Sequence, residues 1–72
     1  MTIHARIWFR KGGFDRRMWT NIVEGYRGEI ISDLPNGTMI YTGACETREE
    51  CIAELVSHLK EHGLSGKLRI AA

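Results

Sequence analysis

The stretch TREECIAELVSHLKEHG, residues 47–63, constrains the fold most strongly. Thr47 can cap the first free amides of a helix, and Glu50, three residues later, can reach back to the amide of the cap itself. Gly63 then supplies the left-handed residue that commonly ends a helix. Apolar residues recur at helical spacing as one stripe, namely Cys51, Ile52, Leu55, Val56 and Leu59. The pattern predicts a helix from about residue 48 to residue 62.

Ahead of this helix, β-branched and aromatic residues cluster between turn signals, which favours strands. In IHARIWFRK, residues 3–11, apolar and polar residues alternate as they do in a half-buried strand. The positions expected to face a core are Ile3, Ala5, Ile7 and Phe9. The positions expected to face away from it are His4, Arg6, Trp8 and Arg10.

Glycine-containing segments predict the turns between these strands. Gly12-Gly13 predicts a hairpin turn that sets Ile7 opposite Met18. EGYRGE, residues 24–29, predicts another turn or a bulged corner. Asn36-Gly37 is the preferred pair for a two-residue hairpin turn with both residues at positive φ. That turn would place on one core face Ile30, Ser32, Leu34, Met39, Tyr41, Gly43 and Cys45.

The length of 72 residues predicts a single domain with one thin core, since so short a chain buries only about 60% of its unfolded surface. A composition of 43% hydrophobic and 26% charged residues is typical of a folded protein. SGKLRIAA, residues 65–72, predicts a final strand with Leu68 and Ile70 on one face. We therefore predict an α+β domain spanning residues 1–72, with a small antiparallel sheet of four to five strands, one long helix across one face, and a short C-terminal strand.

Basic and aromatic residues concentrate in the first part of the chain. Residues 1–28 carry six basic and two acidic residues, whereas residues 29–72 carry four basic and seven acidic ones. One helix covers only one face of an antiparallel sheet, so the other face is left to water or to a partner. Trp and Arg are among the residues most enriched at binding hot spots. The predicted partner-binding residues are Arg6, Trp8, Arg10, Lys11, Arg17 and Trp19.

This Arg/Trp face predicts a small non-enzymatic binding module, an adaptor, inhibitor or regulator, that recognises a protein partner. A nucleic-acid-binding module that uses the same face is the alternative. It ranks behind protein binding because the net charge of +1 gives the chain no general attraction to nucleic acid. A homodimeric structural domain is a further alternative. The same residues could also satisfy one another, because arginine guanidiniums stack on indole rings.

Residues 18–56 resemble small DNA-binding domains built from a three-stranded sheet and a helix, as in plant ethylene-response factors and phage integrase arm-binding domains. The residues that carry the resemblance are Trp19, the YTG at 41–43 and the TREE at 47–50. Those families read DNA with several arginines across the sheet, whereas residues 29–45 contain no basic residue. The resemblance implies that DNA would be contacted by Arg17 and Trp19 with help from the first strand.

No catalytic constellation is evident, because the chain has neither a Gly-rich phosphate loop nor a serine in a nucleophile-elbow pattern. The chain is therefore expected not to be an enzyme and to use no cofactor. His58 and His62 have the i, i+4 spacing that can chelate zinc, and Cys45 and Cys51 could join them. Because no CxxC spacing accompanies them, free buried thiols and no metal are expected.

The hydropathy of the chain favours a cytoplasmic protein. No window approaches the roughly 20 apolar residues of a membrane span, so no membrane partner is expected. The first residues, MTIHARIWFRK, lack the apolar run and the cleavage site of a secretory signal.

Overall fold

The computed structural model describes residues 2–71 and combines one helix with five strands. In chain order the elements are β1 (Thr2–Arg10), β2 (Gly13–Asp15), β3 (Thr20–Ile22), β4 (Gly25–Ile30), a 3-10 turn (Pro35–Gly37), α1 (Arg48–Glu61) and β5 (Lys67–Ile70). β1 lies at the centre of a three-stranded sheet of order β4-β1-β5, and β2 and β3 form a two-stranded sheet. The predicted α+β class is confirmed.

The three-stranded sheet is mixed, whereas the sequence predicts a small antiparallel sheet joined by a short C-terminal strand. β4 pairs antiparallel with β1, whereas β5 pairs parallel with it. Residues 40–45 run along the outer edge of β4, where Tyr26 bridges Cys45 and Glu29 bridges Tyr41. α1 then carries the chain back over the sheet, and such a helical crossover returns the next strand in the direction of β1.

β1 to β4 form one long hairpin with a single register. In the β1–β4 pair, Arg10 lies opposite Gly25. In the β2–β3 pair, Gly13 lies opposite Ile22, which continues the same register after a gap of two residues in each strand. β2 and β3 therefore extend the β1–β4 ladder beyond the end of the three-stranded sheet.

The turn of this hairpin lies at residues 16–19, not at Gly12-Gly13 as the sequence predicts. The side chain of Asp15 stabilises it, because its Oδ1 accepts the backbone amides of Arg17 at 2.9 Å and of Met18 at 3.3 Å. Moving the turn changes every cross-strand partner by the same amount. Ile7 consequently lies opposite a residue of β4, Gly28, rather than Met18.

The prediction of a turn at residues 24–29 is wrong, because most of this segment forms β4. Its glycines are needed for close packing rather than for a change of direction. A Cβ on Gly25 would lie 2.7 Å from the carbonyl oxygen of Cys45, and one on Gly28 would lie 3.0 Å from Leu55 Cδ1. The two glycines let residues 40–45 and the helix approach the sheet closely.

The Asn36-Gly37 pair adopts positive φ at both residues, 61° and 68°, as predicted. It is not the turn of a two-residue hairpin, however, because it lies in a 3-10 turn, where the Thr38 amide donates to the Pro35 carbonyl. The predicted two-residue hairpin is therefore wrong. The chain instead passes from β4 to residues 40–45 through a longer loop, residues 31–39.

This longer loop reverses which residues of the next segment are buried. Ile40 and Thr42 are buried, whereas Met39 is 81% exposed and Tyr41 is 68% exposed. The predicted core face therefore fails at Met39 and Tyr41, and Gly43 is also exposed. Side chains alternate along an extended chain, so a shift of one residue moves each side chain to the opposite face.

The helix matches its prediction closely at both ends. Thr47 Oγ1 accepts the Glu50 amide at 3.2 Å, which is the expected cap. The Glu50 carboxylate accepts the amide of Glu46, at 3.2 Å, rather than that of Thr47. Gly63 has φ of 68° and ends the helix, and Leu64 folds back onto the last turn.

The core lies between the helix and β1. Its buried apolar residues are Ile3, Ala5, Ile40, Leu55 and Leu59. Leu68 and Ile70 of β5 pack against them from one face, as predicted, and so does Ile7. Phe9 does not reach the core, because it is 54% exposed and its ring contacts the edge of Tyr26 at a centroid distance of 5.2 Å.

Candidate functional site

The sheet face opposite α1, here called the outer face, is strongly basic. Side chains alternate between the two faces of a strand, so the residues adjacent in sequence to the core residues lie on the outer face. Its residues are His4, Arg6, Trp8, Arg10, Arg27, Glu29, Lys67 and Arg69. Five of these are cations and one is an anion.

Trp8 lies between two arginines on this face. The guanidinium carbon of Arg6 is 4.8 Å from the centroid of the Trp8 ring, and Arg6 also forms an ion pair with Glu29. Arg27 lies directly opposite Trp8 in the ladder, and its Nη2 donates to the Val23 carbonyl at 2.9 Å. Trp8 is only 36% exposed. Arg6 and Trp8 therefore already contact each other within the fold, which leaves them fewer free contacts for a partner.

The second group of exposed aromatic residues lies on the hairpin arm, defined as residues 11–24. Phe14 is 50% exposed, Met18 is 74% exposed and Trp19 is 78% exposed. The rings of Phe14 and Trp19 meet edge to face with centroids 5.3 Å apart. Val23 extends this apolar surface toward the sheet. None of these four residues belongs to the core cluster.

Trp19 is held in an unusual backbone conformation. Its φ is 52°, in the left-handed region, which costs an ordinary L-residue about 1–2 kcal/mol. A bulky residue with positive φ is uncommon, and glycine would fit this turn position without the cost. The strained backbone orients a large, mostly exposed indole at the tip of the arm.

The cations of the arm are free of ion pairs with the described residues. The arm carries Lys11, Arg16 and Arg17, and among residues 2–71 no carboxylate lies within ion-pairing distance of them. The two acidic side chains of the arm accept hydrogen bonds from backbone amides instead. Asp15 caps the turn, and the Glu24 carboxylate accepts the Gly12 amide at 3.2 Å.

Charge is distributed unequally between the two layers of the molecule. The outer face and the arm together carry eight basic and three acidic residues. The helix with its preceding turn, residues 46–62, carries five acidic and two basic residues. An anionic partner is therefore attracted to the sheet and the arm and repelled by the helix.

The six predicted partner-binding residues fall into two neighbouring groups. Arg6, Trp8 and Arg10 lie on the outer face, whereas Lys11, Arg17 and Trp19 lie on the arm. Sequence reasoning missed Phe14, Met18 and Arg27. A turn at Gly12-Gly13 would have placed Phe14 after the turn, whereas it lies in β2 and contacts Trp19. The signal that locates the turn is Asp15, since Asp favours such side-chain-capped turns.

The two cysteines lie in a buried polar cluster beneath the start of the helix. The Cys45 thiol donates to Glu54 Oε2 at 3.2 Å, and Thr42 Oγ1 lies 3.3 Å from Cys51 Sγ. Thr42 also accepts the Gly28 amide at 3.0 Å, which ties the cluster to β4. Both cysteines are free and buried, as predicted. Burial, together with hydrogen bonding to Cys51 and Glu54, raises the pKa of the Cys45 thiol to about 12. A thiol held protonated is a poor nucleophile, so the cluster favours a structural role.

The histidines considered as zinc ligands are placed differently from one another. His58 lies 3.5 Å from Glu54 and 3.5 Å from Glu61, measured between ring nitrogens and carboxylate oxygens. His62 forms the C-cap of the helix. In the part of the chain that the structure describes, no three His, Cys, Asp or Glu residues are grouped so as to hold a metal ion.

Comparison with protein-family models, with curated proteins and with solved structures found no match to this chain. The similarity to sheet-plus-helix DNA-binding domains stays a prediction. Of the residues that carry it, Trp19 lies in the hairpin turn, Tyr41 lies beside β4 and Thr47 caps the helix. Between residues 2 and 71 no helix is both long and apolar enough to cross a membrane.

Proposed function

We propose that this protein is a small non-enzymatic binding module, an adaptor, inhibitor or regulator, whose hairpin arm and outer face bind an acidic surface of a protein partner. The observation that carries the proposal is the exposed group Phe14, Met18 and Trp19 at the tip of the arm. These residues add nothing to the core, and aromatic anchors beside arginines are typical of binding hot spots.

The charges of the arm support an acidic partner. Arg16 and Arg17 lie in the turn at the tip and Lys11 lies at the base of the arm, all without ion pairs to the described residues, so a partner's carboxylates would meet unneutralised cations. Such complementarity mainly raises the association rate and the specificity, while buried apolar anchors supply most of the affinity. The indole of Trp19 would act as the central anchor, and the outer face would supply the rim.

The test compares proteins captured by three immobilised forms of the chain from lysate of the source organism. The arm variant is F14S/M18S/W19S, and the control is M39S, which replaces a similarly exposed apolar side chain outside the arm and the outer face. A partner captured by the wild type and the control but not by the arm variant is then purified. Direct titration should show its affinity reduced at least tenfold by the arm variant. Equal affinity for all three forms would contradict the proposal.

Nucleic acid is the second candidate, because a two-stranded ribbon with a basic tip can enter the major groove of DNA. This reading predicts that affinity for duplex or single-stranded probes falls steeply with salt, since each neutralised phosphate releases counterions. The R16E/R17E variant should then reduce the slope of log affinity against log salt. A flat response, or no binding at micromolar protein, would remove this candidate. Light scattering tests the homodimer, because a monomer at the same concentrations excludes self-association through the arm.

A further inference from the structure

A second surface lies on the opposite edge of the sheet, away from the arm. A groove of about 220 Å³ runs between the C-terminal half of α1 and β5. The residues that line it are Val56, Leu59, Lys60, Leu64, Ser65, Gly66 and Leu68. The groove exists because α1 packs closest to β4 and leaves the apolar side of β5 partly uncovered. Its volume is below that of a drug-sized ligand site and suits one apolar side chain.

The backbone of β5 is open along this groove. β5 is the last strand of the sheet, and its other edge pairs with β1. The Ala71 amide donates to the Ala5 carbonyl at 2.8 Å, which fixes the direction in which each residue of β5 points its polar groups. The backbone amides and carbonyls of alternate residues point to the same side of a strand, so those of Lys67 and Arg69 face β1, as the Ala71 amide does. The amides and carbonyls of Leu68 and Ile70 therefore face outward, where an added strand can pair with them.

The side chains of β5 specify what such a strand must carry. Leu68 and Ile70 lie on the helix side, whereas Lys67 and Arg69 are exposed on the outer face. Cross-strand neighbours in a sheet stabilise each other when they are apolar pairs or opposite charges. A strand beside β5 should therefore place apolar residues toward the groove and acidic residues beside Lys67 and Arg69. Lys60 at the groove rim adds a third cation, while Glu61 faces His58 on the helix.

We propose that β5 is a peptide-docking edge that binds an extended segment with alternating acidic and apolar residues. The segment adds as a fourth strand beside β5, and one of its apolar side chains enters the groove between α1 and β5. Main-chain hydrogen bonds supply affinity and the alternate side chains supply specificity, as in other cases of strand addition. This site is independent of the hairpin arm.

The same cations argue against a second copy of the chain as the occupant. Pairing two β5 edges would place Lys67 and Arg69 of one copy beside those of the other, and like charges in cross-strand positions are destabilising. Lysines on an edge strand commonly prevent self-association in this way. Here they leave the edge open to acidic strands only.

The probe is a blocked seven-residue peptide of alternating glutamate and valine, titrated into the isotope-labelled full chain and followed by amide chemical shifts. The Leu68 and Ile70 amides should shift and become protected from exchange. A peptide of alternating lysine and valine should bind at least tenfold more weakly. A glutamate-valine peptide with methylated backbone amides should also lose at least tenfold, which separates strand pairing from simple charge attraction.

Two variants of equal charge change locate the site on the protein. K67E/R69E should weaken the glutamate-valine peptide at least tenfold and favour the lysine-valine peptide. R16E/R17E, which alters the arm by the same charge, should leave peptide binding unchanged within twofold. V56W should weaken binding by filling the groove, whereas the methylated peptide tests the main-chain pairing with β5 without any change in the protein.

The proposal is overturned if the shifts lie on the arm, if the two charged peptides bind equally, or if no amide shifts at millimolar peptide. A dimer seen by light scattering that disappears in K67E/R69E would assign the edge to a second copy and would also overturn it. The arm variants test the proposed function separately, so either proposal can fail without the other.

Discussion

The body of the protein and its hairpin arm share one antiparallel ladder but differ in what covers it. In the body, the β1–β4 pair lies under α1, and Ile3 and Ala5 are 1% and 0% exposed. In the arm, the β2–β3 pair continues the same register with no helix above it, and Trp19 is 78% exposed. Buried apolar contacts therefore stabilise the conformation of the body, whereas the turn capped by Asp15 stabilises that of the arm.

This difference separates stability from recognition. A buried residue of the body, such as Leu55, contributes to the core, so a change there costs folding free energy. A residue of the arm is exposed, and surface substitutions usually change stability by less than about 0.5 kcal/mol. The arm is thus free to carry aromatic and basic residues that the core has no use for.

The largest expected effect is in the body, at Leu55. This side chain is fully buried, and its Cδ1 would contact a Cβ placed on Gly28 of β4. L55A should lower the free energy of unfolding by about 2–5 kcal/mol, because it removes buried methyl groups and leaves a cavity. Urea denaturation followed by circular dichroism measures the loss.

M18A in the arm is the matched comparison, since it also truncates a large apolar side chain. It should change the free energy of unfolding by less than about 0.5 kcal/mol. A comparable loss in the two variants would show that the arm is packed against the body, and the distinction between the two regions would fail.

Alkaline pH should also change the stability through a group of the body, the Cys45 thiol, rather than through the arm. The pKa of Cys45 rises from its ordinary value of 9.0 to about 12 in the folded state, chiefly by burial. Between these values the unfolded chain loses the thiol proton and the folded chain keeps it. The free energy of unfolding should therefore fall as pH rises from 9 toward 12, by at most about 1.4 kcal/mol per pH unit.

The C45A variant provides the control, since it removes this titration and should flatten that part of the pH profile relative to the wild type. Below pH 9 the pH dependence of the two proteins should run in parallel. An unchanged slope in C45A would assign the alkaline loss to other groups. Slow labelling of Cys45 by a thiol reagent under native conditions gives an independent measurement of the same burial.

The sequence predicted the helix and its end signals correctly because these are local. The Thr47 cap, the apolar stripe and the Gly63 terminator all lie within one segment. The strand pairing was predicted less well because it depends on where turns fall. Gly12-Gly13 looks like a turn, yet the Asp15 side chain stabilises a turn farther along and changes every cross-strand partner.

The candidate site was predicted in part for the same reason. Alternation along β1 placed Arg6 and Trp8 on one face irrespective of the turn, and the Arg6–Trp8 contact bears this out. Phe14 was missed because its strand depends on the turn position. The parallel pairing of β5, and with it the groove beside α1, could not be read from local patterns, because it arises from the path of the crossover.

A smaller effect is expected at the helix cap, which belongs to the body but lies at its surface. T47A removes the acceptor of the Glu50 amide at 3.2 Å. The free energy of unfolding should fall by about 1 kcal/mol, the usual contribution of a Thr cap. The T47S variant retains the hydroxyl and should keep most of this stability. Equal losses in T47A and T47S would show that the cap hydroxyl contributes nothing.

A small change in stability, with the largest change in binding, is expected at Trp19. W19G relieves the left-handed backbone, worth about 1–2 kcal/mol, but loses the edge-to-face contact with Phe14, worth about 0.5–1.5 kcal/mol. The added backbone entropy of glycine in the unfolded chain costs a further 0.5–1 kcal/mol, roughly. These contributions nearly cancel, so the free energy of unfolding should stay within about 1 kcal/mol of the wild type while partner capture is lost.

W19A separates the two contributions, because alanine loses the indole but keeps the strain of a left-handed φ. It should therefore be less stable than W19G by about 1 kcal/mol, although both variants lack the same anchor. If alanine and glycine are equally stable at this position, the turn does not impose the left-handed conformation on residue 19. If W19G binds the partner as well as the wild type does, the indole is not the anchor, and the strain at the tip of the arm has no role in recognition.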